Sequence, residues 1–176
     1  MPDNVFIQRK NNRLRDYDYS SPGAYMVTIS VNECQQRLFG TLHEETIELS
    51  ELGRLAGNRW LTIPDHFPGV SLDKWIIMPD HIHGILLFQF NDSGEACLAP
   101  TTPSAQNRLP ILGTVIGSFK ATVTRDARKL GVVGSTALWQ RGYFEHVIRN
   151  QQDLERVREY ISLNPHRLYQ EQEKWP

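Results

Sequence analysis

The stretch Trp75–Phe88, WIIMPDHIHGILLF, sets the narrowest limits on what this chain can fold into. Two apolar runs, Leu72 to Met78 and His81 to Phe90, flank a Pro-Asp step, and that pattern predicts two strands of a hairpin joined by a tight turn. Strand alternation puts His81 and His83 on one face and Ile82 on the other. Neutral imidazole is the commonest protein ligand for a transition metal, so paired histidines on a rigid strand form half of a metal site. The competing reading is two half-exposed strand histidines with no such role.

With 176 residues, of which 40% are hydrophobic and 22% charged, one globular domain spanning 1–176 is expected. No apolar run reaches the length of a membrane span, and the N-terminal MPDNVFIQRKNNRLR is too polar for a signal peptide. A soluble, cytoplasmic protein with no membrane partner is the expectation. Cys34 and Cys97 stand in unlike contexts, so free thiols are expected rather than a disulfide or a thiolate metal site.

The net charge of -1 hides an uneven distribution. Residues 108–167 hold ten Lys/Arg against five acids, and the remainder holds nine against fifteen. Phosphate binding needs local positive potential and is indifferent to the total. A nucleic-acid face is compatible with this pattern, as is ordinary solvated charge on helices. Arg9, Lys10, Arg13 and Arg15 form a second basic cluster before the first strand, a candidate DNA contact on charge alone.

Gly23 to Val31 predicts the first strand, and a broken second one follows through Arg37–Leu42 and Thr46–Leu49. Ser50 reads as an N-cap, after which Leu52, Leu55, Ala56, Trp60 and Ile63 keep helical spacing until Pro64. Residues 91–110, rich in Pro, Ser, Thr and Asn, predict a flexible surface loop. Leu112, Val115, Ile116, Phe119 and Val123 mark a second helix up to Gly131, with Lys120, Arg125, Arg128 and Lys129 off its apolar stripe and able to line a groove. Gly142–Ile148 predicts a strand. Asn150 caps a last helix that is expected to stop at Pro165; Leu154, Val157 and Ile161 form its apolar face, with Asp153, Arg156, Tyr160 and Asn164 on a neighbouring one. Paired strands separated by single helices predict an α+β fold, an antiparallel sheet with helices on one face.

Tyr160 and Asn164 taken alone are a core-edge tyrosine and a helix stop. Beside a His-x-His pair they acquire chemistry, because a phenol can attack a phosphodiester polarised by a metal and hold the product covalently. Three segments together, YDYSSPGAYMVTI at 17–29, WIIMPDHIHGILL at 75–87 and GYFEHVIRNQQDLERVREYISLNP at 142–165, resemble the REP-associated tyrosine transposases of the HUH endonuclease group. The resemblance runs from about Arg9 to Arg167 and leaves out only the 91–110 loop. It implies a ferredoxin-like sheet, Tyr160 as nucleophile, and His81, His83 and Asn164 as ligands of Mg²⁺ or Mn²⁺. Lys120 matches a lysine of the family's S-F-K segment and is expected on phosphate, with Arg125 nearby; His146 and Arg156 are expected as neighbours of the site.

The implied activity is cleavage and rejoining of single-stranded DNA at hairpin, REP-like sequences through a 5′-phosphotyrosine, with no nucleotide cofactor. A binding-only descendant and a phosphodiesterase using water remain alternatives. Monomer and homodimer both remain open, as do the native metal and the DNA sequence.

Overall fold

The computed structural model describes residues 22–32, 37–90 and 109–174. The basic cluster Arg9–Arg15, both cysteines and the loop up to residue 108 lie outside these residues. Leu109, counted with that loop, is buried in the core.

The elements follow the chain as β1 (Gly23–Ser30), β2 (Gly40–His43), β3 (Thr46–Leu49), α1 (Glu51–Leu61), α2 (Ile63–His66), β4 (Val70–Ile77), β5 (His81–Phe88), α3 (Leu112–Lys129), β6 (Phe144–Ile148) and α4 (Gln151–Lys174). Four strands form an antiparallel sheet in the order β4-β5-β1-β6, and β2 and β3 form a separate hairpin. Strand-helix-strand-strand-helix-strand with the first and third strands central is the ferredoxin-like arrangement, here with the β2–β3 hairpin inserted before α1 and a helix added after β6.

Alternation in β1 decides what lies on each face of the sheet. Tyr25, Val27 and Ile29 point into a large core with α1 and α3, built around Trp60, Phe88 and Phe119. Met26 points the other way, into a smaller core of Ile85, Ile148, Val157 and Ile161 that seats α4. The helices therefore cover both faces, where the element order alone predicts one. A strand pattern tells which residues are inward but does not say which element arrives to cover them.

Ser50 caps α1 as expected, accepting from the Gly53 N–H at 3.0 Å. The helix stops at Leu61, and Pro64 falls in the first turn of α2, where its missing N–H is harmless. On β5, Gly84 leaves room for Trp60: a Cβ there would overlap the indole. The largest buried side chain thus rests directly against the strand, behind the residue that follows His83. Register slips by one residue between Leu72 and Trp75 of β4, a bulge that turns Asp73 toward α4.

Asn150 caps α4 by accepting from the Asp153 N–H at 2.8 Å. The helix does not end at Pro165 but runs on to Lys174. Proline removes one backbone bond and crowds the preceding turn, yet contacts on both sides hold the helix together. Val157 and Ile161 are buried before it, and His166 beyond it bonds Glu45 of the β2–β3 hairpin at 2.6 Å.

Candidate active site

His81, His83, Thr28 and Ser30 share the face of the sheet that α4 crosses, because Thr28 pairs with His83 and Ser30 with His81 in the β1–β5 register. The two imidazoles meet at their Nε2 atoms, 2.9 Å apart, with ring centroids at 4.4 Å. Each ring is held from behind. His81 Nδ1 lies 2.6 Å from Asp80 Oδ1, and His83 Nδ1 lies 2.9 Å from Thr28 Oγ1. The hydrogen bond to His81 keeps the Asp80 carboxyl below the usual carboxylate range, so His81 donates from Nδ1, and in the neutral ring that leaves the lone pair on Nε2.

His83 is 4% exposed. Burial, followed by the neighbouring His81, pushes its pKa down to about 3. It is a neutral imidazole across the physiological range, which is the form that binds metal. Cis ligands about 2.1 Å from an octahedral ion stand about 3 Å apart, so the separation of the two Nε2 atoms fits one hard divalent ion as well as it fits a hydrogen bond. Among the described residues no group of three His, Cys, Asp or Glu could hold a metal. An ion here would complete its shell with amide, phosphate or water oxygen. Asn164, 9% exposed and one turn after Tyr160 on α4, supplies a buried amide on that helix.

Tyr160 is brought to the pair. Its ring stands edge-on to His83 with centroids 5.3 Å apart, and the Arg167 guanidinium lies 5.2 Å from the ring on the same helix. Two residues before the tyrosine, Arg158 grips Asp73 of the β4 bulge through Nε at 2.8 Å and through Nη2. The first turn of α4 is tied separately: His146 of β6 bonds the Asp153 carboxylate at 3.0 and 3.2 Å. His146 is thus a fastener of the tyrosine helix to the sheet edge, exposed rather than buried. Arg156 lies exposed on α4 one turn before Tyr160.

Lys120 and Arg125 are not brought to the histidines. They stand on α3, which packs on the opposite face. Lys120 Nζ donates to the carbonyls of Gln140 at 2.9 Å and Gly142 at 2.5 Å, and partial burial pushes its pKa down to about 8. It closes the loop before β6. Arg125 pairs with the adjacent Asp126 at 3.3 Å. With Arg128 and Trp139 these residues line an open groove remote from Tyr160.

Sequence reasoning missed Thr28, Asp73, Arg158 and Arg167. Asp80 was visible only as a carboxylate next to His81, and Arg167 only as a cation two helical turns after Tyr160. Thr28 and Asp73 had no signal, since strand register and a bulge place them.

No family model matches the chain. An uncharacterized protein of Haemophilus influenzae is 35% identical over 163 residues, spanning 89% of this chain and 88% of that one. Among solved structures, a REP-associated tyrosine transposase bound to a REP hairpin superposes with a TM-score of 0.58, over 88% of this chain and 74% of that one, at 16% identity. At that identity the likeness is one of fold. A candidate transposase from Deinococcus radiodurans covers 85% of this chain and 94% of its own at 15% identity, with a TM-score of 0.46.

Proposed function

We propose that this chain, which belongs to one family with the Haemophilus influenzae protein and has the fold of the REP-associated tyrosine transposase, cleaves and rejoins single-stranded DNA through a 5′-phosphotyrosine at Tyr160. The observation that carries this reading is the approach of the Tyr160 ring to His83, whose Nε2 meets that of His81. Hairpin DNA is the proposed substrate, by likeness to the neighbour bound to a REP hairpin.

The Tyr160 hydroxyl attacks the scissile phosphorus and loses its proton to solvent. The bond from phosphorus to the 3′ oxygen breaks, that oxygen takes a proton from solvent to become a free 3′-hydroxyl, and the 5′-phosphate stays on the phenol. Rejoining reverses the exchange, and because the phosphodiester energy is kept in the tyrosyl ester no nucleotide is consumed. The Arg167 guanidinium, 5.2 Å from the ring, puts positive charge beside the phenol. A Mg²⁺ or Mn²⁺ ion held by His81, His83 and Asn164 would supply positive charge at the non-bridging oxygens. Thr28 and Asp80 orient the two imidazoles toward it.

Incubating the protein with labelled single-stranded hairpin DNA and Mn²⁺, then running denaturing gels and mapping any adduct by mass, tests this. The expected product is a covalent adduct at Tyr160 that Tyr160→Phe abolishes while hairpin binding persists. Cleavage without an adduct would replace the proposal with hydrolysis by water, and binding without cleavage would replace it with a binding-only protein.

A further inference from the structure

Among the described residues strand β6 is one of the two edges of the sheet, and alternation divides its side chains between the two faces. Glu145 and Val147 are buried toward α1 and α3, whereas Phe144, His146 and Ile148 face the side that carries the histidines. Helix α4 covers Ile148, and His146 is occupied with Asp153. Phe144 is left 48% exposed.

Its position is what matters. Phe144 pairs with Thr28 on one side of β1, and Thr28 pairs with His83 on the other and bonds its ring. With neighbouring strands about 4.8 Å apart, the phenyl ring rises from the sheet about 10 Å from His83. Arg141 and Arg149, both exposed, bracket the strand. An exposed aromatic on the face that holds the reactive groups, with exposed cations beyond both ends of its strand, supplies what seats a single strand: a ring for a base and charges for phosphates.

We propose that Phe144 is a stacking platform for one base of the bound single strand, beside the phosphate presented to Tyr160, with Arg141 and Arg149 taking flanking phosphates. The proposal rests on the reading of the site as a single-strand DNA centre and names where that strand runs: outward across β1 toward the β6 edge.

The test measures binding in EDTA, so that no strand is cut, by fluorescence anisotropy. Two probes are used: labelled oligothymidylate, and an abasic oligomer with the same number of phosphates. For Phe144→Ala the expected result is a loss of about 5- to 150-fold on oligothymidylate and unchanged binding of the abasic oligomer; Phe144→Tyr should restore the loss. Equal binding of oligothymidylate by Phe144→Ala and the parent overturns the proposal, and so does an equal loss on both probes. A shift in sedimentation with no change in DNA affinity also overturns it, by making this edge a contact with a second copy. Adduct formation at Tyr160 is followed in parallel, on hairpin DNA with Mn²⁺ in place of EDTA. If the parent forms the adduct while Phe144→Ala binds normally, stacking fails and the cleavage reading stands; if the parent forms none, the cleavage reading itself fails.

Discussion

Four side chains form an unbroken line of hydrogen bonds from Asp80 through His81 and His83 to Thr28. A hydroxyl can donate or accept, so Thr28 suits two states of His83. With His83 Nε2–H donating to His81, Thr28 donates to Nδ1; with both Nε2 lone pairs turned to an ion, His83 Nδ1–H donates to Thr28. The same two residues can thus form an internal bond or, as proposed, a ligand pair without any ring turning over. Thr28→Val keeps the shape and removes the hydroxyl. Mn²⁺ affinity measured by calorimetry is expected to fall about 10- to 100-fold, and the stranded Nδ1 of a buried ring should cost about 1–3 kcal/mol of stability. Affinity equal to that of the parent would remove Thr28 from the site. The histidine pair was legible in the sequence because alternation alone puts residues two apart on one face. Thr28 was not, since its role depends on register with a strand far along the chain.

Helix α4 delivers Tyr160, and an irregularity in β4 decides where the helix lies. The bulge between Leu72 and Trp75 frees Asp73 to meet Arg158 in a two-pronged pair. The hydrogen bond from Arg158 holds the Asp73 carboxyl below its ordinary value, outweighing the opposing effect of burial. A depressed carboxylate pKa sets the sign: the pair's stabilisation is fully present above about pH 4, the unfolded value, and is lost as pH falls through the lower folded value. Asp73→Asn should therefore lower the urea midpoint at neutral pH and flatten its decline in acid. It should also slow adduct formation at Tyr160 more than it weakens DNA binding, because Asp73 positions the helix without touching the strand. Superimposable acid limbs for mutant and parent would refute this.

Local signals worked where the partner is local: Ser50 and Asn150 cap the helices they were expected to cap. They failed where the partner is remote. Pro165 reads as a stop, but the contacts of Ile161 and His166 carry the helix through it. Lys120 reads as a phosphate contact, and no signal in the sequence shows that its ammonium donates to two carbonyls from the loop before β6.

Across the whole molecule the sheet separates two unequal cores. Trp60, Phe88, Phe119 and their many neighbours fill one side, while Met26, Ile85, Ile148, Val157 and Ile161 make up the other. Apolar burial is the main source of cooperativity, so α4 should open at a free energy below that of global unfolding. Native-state hydrogen exchange is expected to show the α4 amides exchanging through an opening that leaves β1 and β5 protected. Identical exchange free energies for α4 and β5 would contradict it. The α+β class was readable from element order, but this asymmetry was not, since periodicity marks an apolar face without telling how much will cover it.

The strand order has a consequence in time. β1, made first, sits between β5 and β6, so the first and last strands of the sheet are neighbours. A chain emerging from the ribosome can pair β1 with β5 and bring Thr28, His81 and His83 together while β6 and α4 are still to be made. Translation thus delivers the histidine pair first and Tyr160, the proposed nucleophile, last.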